Sequence, residues 1–366
     1  MYSNVFENLF VLEMTNNHLG NLDRGLEIIR QFSRIVRFNN VRAAIKLQFR
    51  DVDNFIHKDF RNRNDIRYIK RTLETKLTDE QYGILVSAIR EGGCIPMATP
   101  FDERSVDLCL ELNLPIIKVA SADSNDWLLL EKIAKTKRPV IVSLAGLSVK
   151  DTDDLVLFFK NRNIPLALNH CIAAYPTQDD EMELNQIDFL RNRYPENPIG
   201  LSTHDSHQDN IFVPSLYIAY AKGVRLFERH IDINSDGKEI STYSFLPEQI
   251  DAWFKAFKRA KVMCGASGTD RKLPLKKELD FLDNYIRGIY AKRDLPEGYI
   301  LTNESYEKDI YLSIPLQKGQ ISCRELMNGE RLLREIKKDE MIKIDDIDSP
   351  YAYNEEMKKM IYSRGL

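Results

Sequence analysis

Up to about residue 265, short β-branched apolar runs alternate with longer stretches in which apolar residues return every three or four positions. That alternation marks βα units laid around a parallel sheet. The runs are LFVLEM at 9–14, AAIKLQF at 43–49, CIPMAT at 94–99, PIIKVAS at 115–121, PVIVSL at 139–144, IPLALNHC at 164–171, IGLSTH at 199–204 and RLFERHI at 225–231. Between them the spacing predicts helices such as LDRGLEIIRQFSRIVRF and ERSVDLCLELN. A further helix, IDAWFKAFKRAK, sets Ile250, Trp253, Phe254 and Phe257 on one face, and Gly265 stands just past its end as a stop. Eight strand-and-helix repeats favour a closed (β/α)8 TIM barrel over 1–265 rather than an open sheet.

Beyond Gly265 the periodicity lapses. Residues 266–284 are polar and basic with one proline, which fits an interdomain linker whose Lys and Arg form a solvated surface. From about Tyr285 short strands are punctuated by DLPEG, LQKGQ and IKKDE, so residues 285–348 are expected to form a small mainly-β domain, with 349–366 as a C-terminal tail.

Composition adds exclusions. With 366 residues, 43% of them hydrophobic, the chain suits one barrel and a modest appendage. A net charge of -3 and a pI near 6.2 leave no basic field to neutralise a phosphate backbone, so nucleic acid is set aside. No apolar run approaches the roughly 18 residues of a spanning helix, and MYSNVFENLF lacks a basic leader, so no membrane partner and a cytoplasmic location are expected. Cys94, Cys109, Cys171, Cys264 and Cys323 form no CxxC pair and read as reduced core residues.

In a barrel of this kind the interior is packed and chemistry collects where strands end. Those ends carry Glu13, Lys46, Gln48, Thr99, Lys118, Ser121, Ser143, His170, Ser202, His204 and His230. An inward lysine is costly to bury without a counter-charge. One such lysine could be salt-bridged to a neighbouring carboxylate or reach solvent, but Lys46 and Lys118 beside Thr99, Ser121 and Ser143 suggest a cradle for phosphate and carboxylate. A lone strand-end histidine is usually structural. His204 and His230 close adjacent strands and could share a divalent ion with positions left open for substrate.

These segments resemble the sialic acid synthase family. The N-terminal AEIGxNHNG motif is matched by Leu12 to Gly20, KFQ by Lys46, Leu47 and Gln48, and TPFD by Thr99, Pro100, Phe101 and Asp102. YKIASGD is matched by Ile117 to Asp123, HCTxxYP by His170 to Pro176, GYSDHT by Gly200 to Asp205, and EKHFT by Glu228 to Asp232. The resemblance implies condensation of phosphoenolpyruvate with an open-chain aldose. The residues matching Lys46, Lys118, Thr99, Ser121, Ser143 and Ser202 would hold phosphoenolpyruvate, and those matching Glu13, Gln48 and Tyr175 would lie around the sugar. His204 and His230 would ligate the metal, which could be Mn, Mg, Co, Fe or Zn. Glu13 or Asp123 would serve as the base that helps water add. The appended domain resembles the antifreeze-like SAF domain, which implies a domain-swapped homodimer.

The match is incomplete. Ala173 replaces the Asn of sialate-forming members, Thr203 replaces the Asp before the metal histidine, and STGM becomes Ser143, Leu144, Ala145 and Gly146. Lys238 to Ser241 replace an acidic segment, and Ile314 stands where an Arg is expected. These departures fall mostly on the sugar side and point to an acceptor other than N-acetylmannosamine. The alternatives are a related barrel aldolase or deoxy-aldulosonate phosphate synthase, for which the appended domain is not expected, and a non-catalytic sugar-binding or scaffold homologue, which would gain nothing from keeping buried charge.

Overall fold

In a computed structural model the chain is described over residues 5–265, 272–304, 306–321 and 329–366. Eight parallel strands follow one another around a closed sheet: β1 (Leu9–Glu13), β2 (Arg42–Phe49), β3 (Ile95–Pro100), β4 (Ile116–Val119), β5 (Val140–Ser143), β6 (Leu166–Cys171), β7 (Ile199–Thr203) and β8 (Leu226–Ile231). Pairing of β1 with β8, from Leu9 opposite Leu226 to Glu13 opposite His230, closes the ring. A two-residue strand, β9 (Ser244–Phe245), extends β8 at its exit. Each of the eight predicted runs overlaps one strand, and the TIM-barrel expectation holds.

Alternation within the strands sets two cores. One set of side chains packs outward against the helices, where Phe10 and Phe227 meet Trp253, Phe254 and Phe257 of helix Pro247–Cys264. The opposite set fills the barrel's interior: Leu9, Val11, Ala44, Met97, Ile116, Ile141, Ala167 and Leu226, with Phe6 plugging the entry end. Helix ends follow their capping residues. Thr78 and Gln81 form a reciprocal cap on helix Asp79–Glu91, and Asp102 caps Glu103–Glu111 by accepting from the Ser105 amide. Gly265 ends the last barrel helix at φ 67, a left-handed setting that suits glycine.

The chain divides into two compact units, 1–265 and 266–366. The second has its own core of Ile289, Leu295, Leu301, Ile310, Ile336, Ile342 and Ile347. It holds two antiparallel pairs, β10 (Gly288–Ala291) with β11 (Ile310–Ser313) and β12 (Arg331–Leu332) with β13 (Ile347–Asp348). Two segments behave otherwise than their composition suggested. The basic stretch before Tyr285 forms helix Lys276–Asp283, which Glu278 caps by accepting from the Leu275 amide and whose last residue, Asp283, accepts hydrogen bonds from Arg364 and from the Gly365 amide. The stretch after 348 forms helix Glu355–Tyr362, whose Ile361 and Tyr362 pack on the second core. Among the described residues no helix is long and apolar enough to cross a membrane. Cys94, Cys109 and Cys171 are buried and unpaired as expected, but Cys264 is exposed in the last turn of its helix, and Cys323 lies outside the described residues.

Candidate active site

The interior core explains what lies above it. Each inward position two residues beyond the apolar layer is polar: Glu13 after Val11, Lys46 after Ala44, Thr99 after Met97, Lys118 after Ile116, Ser143 after Ile141, Asn169 after Ala167 and Glu228 after Leu226. The period of two carries the next residues, Gln48, Cys171, Ser202, His204 and His230, to the mouth. With residues of the following loops they line a cavity of about 460 Å³ at the C-terminal ends of the strands.

On its floor, Lys46 is ion-paired with Glu13 and with Glu228 at 3.2 Å, and donates to Thr99 Oγ1 at 3.1 Å. Glu13 Oε1 accepts from the Thr15 amide at 2.8 Å and from Gln48 Nε2 at 3.2 Å. Asn169 Nδ2 donates to Glu228 Oε2 at 3.0 Å. Glycine at position 200 makes room for that amide, since a Cβ there would stand 2.1 Å from Asn169 Oδ1. Burial pulls Lys46 down to about 8, with Glu228 opposing the shift and Lys118 adding to it. Burial pushes the Glu228 carboxyl up, but Lys46 and Lys118 outweigh it and hold the group below its ordinary value.

Lys118 differs from Lys46. It is 2% exposed, and its ammonium donates to the Val119 carbonyl and to Ser143 Oγ, each at 2.7 Å. No carboxylate forms a salt bridge with it among the described residues. The salt-bridged reading therefore describes Lys46, whereas Lys118 with Ser143 keeps a cation that no salt bridge among the described residues meets. Ser121, Thr99 and Ser202 share the lining, and Ser121 Oγ accepts from the Ala145 amide at 3.1 Å.

Across the mouth, the rings of His204 and His230 are 5.0 Å apart, with Tyr175 4.3 Å from His204 and Tyr243 5.2 Å from His230. His204 Nδ1 lies 2.8 Å from the Ile172 carbonyl, which can only accept, so Nδ1 carries the proton and the Nε2 lone pair is left for a ligand. His230 Nδ1 is buried without a partner among the described residues. Burial lowers both imidazoles, and for His230 the charges of Lys46 and Arg71 add to it. Two neutral imidazoles facing one cavity, one with an orphaned ring nitrogen, fit a divalent ion. No set of three or more His, Cys, Asp or Glu among the described residues could hold one. The remaining ligands would have to be substrate oxygens and water. Behind the pair, Asp205 and Arg229 form a buried salt bridge at 2.8 Å that ties the end of β7 to β8.

Two expected site residues lie elsewhere. His170 falls between inward Asn169 and Cys171, so parity turns it outward, and its Nε2 lies 2.8 Å from the Met182 carbonyl. Asp123 ends the short turn Ser121–Asp123 outside the lining, its Oδ2 buried without a partner among the described residues. Burial pushes it up to about 7 against the charges of Arg50 and Lys118. The cavity also contains residues the strand-end reading did not name: Glu228, Arg50, Tyr68, Arg71 and Tyr243. Parity with His230 and Gln48 could have found Glu228 and Arg50. Tyr68, Arg71 and Tyr243 come from a helix and loops whose path no local pattern discloses.

Fold and cavity together define a TIM-barrel protein whose mouth holds a buried lysine without a salt bridge among the described residues and a pair of imidazoles. The NeuB family matches residues 40–269, and the chain belongs to that family. It is similar to a crystal structure of a putative spore coat polysaccharide biosynthesis protein E from Chromobacterium violaceum, with TM-score 0.87 and 36% identity over 93% of this chain and 99% of that one. It is 26% identical to the N-acetylneuraminate-9-phosphate synthase of Homo sapiens over 80% of each chain. It is also 26% identical to a pseudaminic acid synthase of Campylobacter jejuni, over 82% of this chain and 87% of that one.

Proposed function

We propose that the barrel condenses phosphoenolpyruvate with an open-chain aldose and water to give a 3-deoxy-2-keto sugar acid and inorganic phosphate. The observation that carries this reading is the buried ammonium of Lys118, without a carboxylate partner among the described residues, in the same cavity as two neutral imidazoles. Kinship with synthases of related sugar acids supports it.

The steps follow from where charge develops. The enol carbon forms a bond to the aldehyde carbon, whose oxygen takes a proton, and cationic character appears at the phosphate-bearing carbon. A divalent ion held by His204 and His230 would supply Lewis-acid polarisation of the aldehyde oxygen. Glu13, positioned by the Thr15 amide and Gln48, stabilises the cation and takes a proton from the water that adds to it. The hydroxyl left by the added water then passes its proton to the departing phosphate as the carbon–oxygen bond breaks and the ketone forms. Lys118 and Ser143, with Thr99 and Ser202, hold the departing phosphate. Asp123 does not line the cavity, so Glu13 is the assigned base.

The acceptor is an aldose other than N-acetylmannosamine, supported by Ala173, which lines the cavity with a methyl group where sialate-forming members offer an amide. The second unit is assigned the antifreeze-like fold and a role at the barrel mouth of a partner chain. Its small core of short antiparallel strands supports the first, and its exposed Phe281, Tyr285 and Ile314 support the second. Phosphate release and product mass spectrometry, with phosphoenolpyruvate, Mn²⁺ and a panel of aldoses, test the chemistry. Absence of phosphate release with every aldose would refute it. A chain ending at Gly265 tests the appendage, and undiminished efficiency toward the acceptor would remove that role.

A further inference from the structure

The charges around the cavity do not balance. Lys46, Lys118, Arg50 and Arg71 line it, against the carboxylates of Glu13 and Glu228. Both carboxylates are taken by Lys46, and Lys118 with Ser143 is the seat assigned to phosphoenolpyruvate. Arg50 and Arg71, from the segment after β2, are left over. Neither forms a salt bridge among the described residues. Arg50 donates to Gln48 Oε1 and to the Tyr68 hydroxyl, each at 3.0 Å, and Arg71 reaches Asn17 Oδ1 at 3.4 Å. Asp123 feels the charge of Arg50 but makes no ion pair with it.

A solvated arginine needs no counter-charge, but Arg50 is not free in solvent. Its guanidinium lies 3.7 Å from the centre of the Phe101 ring and 5.8 Å from those of Phe55 and Tyr68. Its Nε is buried without a partner among the described residues. A cation held in place by aromatic rings, with a donor unsatisfied, is pre-organised for a planar or tetrahedral oxyanion. Lys46 shows the contrast, a cation of the same cavity whose charge is met by two carboxylates of the chain itself.

We propose that the acceptor aldose carries an anionic group, a phosphate or a carboxylate away from its aldehyde, and that Arg50 and Arg71 receive it. This rests on the condensing reading above and narrows its substrate class. The two arginines are specificity residues; they take no part in carbon–carbon bond formation.

The test offers the full chain, with phosphoenolpyruvate and Mn²⁺, matched sets of a neutral aldose, its terminal phosphate ester and its uronic acid. An anionic member should show the lowest KM, and which one distinguishes phosphate from carboxylate. Arg50→Gln and Arg71→Gln should raise the KM for that member roughly 10- to 100-fold. They should leave phosphoenolpyruvate affinity, measured by calorimetry, unchanged. Arg71→Lys should recover part of the loss, which a merely structural role would not predict. A neutral aldose preferred to its anionic partners overturns the proposal, as does a loss of phosphoenolpyruvate affinity in the glutamine variants. If no aldose is consumed while phosphoenolpyruvate still binds, the condensing reading itself fails, and this proposal with it.

Discussion

The floor and the rim of the cavity are built on different terms. On the floor, each polar group is fixed by a strand whose register is set by the apolar layer beneath it, and Lys46, Glu13, Glu228, Asn169 and Thr99 are bonded to one another. At the rim, Arg50, Tyr68, Arg71, Ala173 and Tyr243 come from segments beyond the strands, and their polar contacts are few. The contrast separates a bonded floor built by the sheet from a sparsely bonded rim built by the segments beyond it, and it is the ground for assigning the reaction to the first and the choice of acceptor to the second. Changes on the floor should reach kcat, and changes at the rim should reach only the acceptor's KM.

That division can be broken at five points. The largest effect is expected from His204→Ala, on the order of a thousandfold or more in kcat/KM. A thermal melt like that of the parent should accompany it, and full activity in metal-depleted buffer would remove the imidazole from the reaction. Lys118→Met should follow, with a loss of roughly 100- to 1,000-fold and weakened phosphoenolpyruvate binding; a loss confined to the aldose would move the phosphate seat elsewhere. Gly200→Ala forces its Cβ onto Asn169 and Leu226, so a urea titration should show about 1 to 3 kcal/mol lower stability. Lys46, lowered to about 8 by burial, is charged below that pH and neutral above it. Above it Glu13 and Glu228 lose their shared counter-charge, so kcat should fall as pH climbs through about 8, and Lys46→Arg should flatten that fall. The smallest effect is expected at the rim, where Tyr68→Phe removes a hydroxyl that accepts from Arg50. It should change the aldose KM a few-fold at most and kcat not at all.

Much of the floor was legible in the sequence. A closed ring follows from eight apolar runs, and once Val11, Ala44 and Ile116 face inward, Glu13, Lys46 and Lys118 must as well. The same rule applied strictly would have turned His170 away and brought Glu228 in, since one residue of offset moves a side chain to the other face of the sheet. Reading strand ends as a set, without parity, exchanged one for the other. The partner of each lysine was not legible, because Glu13, Lys46 and Glu228 are distant in the chain and meet only when β1 pairs with both β2 and β8. The rim was least legible. Helix Arg67–Glu74 delivers Tyr68 and Arg71, whereas residues 51–67, the stretch rich in Arg and Asn, supply nothing to the lining.

The bonded set on the floor also constrains descent. Glu13 and Glu228 share one ammonium, and Glu228 in turn holds the amide for which Gly200 makes room. Any one of these residues replaced alone strands a buried charge or an unfilled donor, so a lineage can leave this arrangement only through intermediates less fit than either end. The arginines at the rim are under no such mutual obligation. Descendants of this chain that exchange one sugar for another should therefore differ first in the segment between β2 and helix Asp79–Glu91, while inheriting the Glu13, Lys46 and Glu228 set intact.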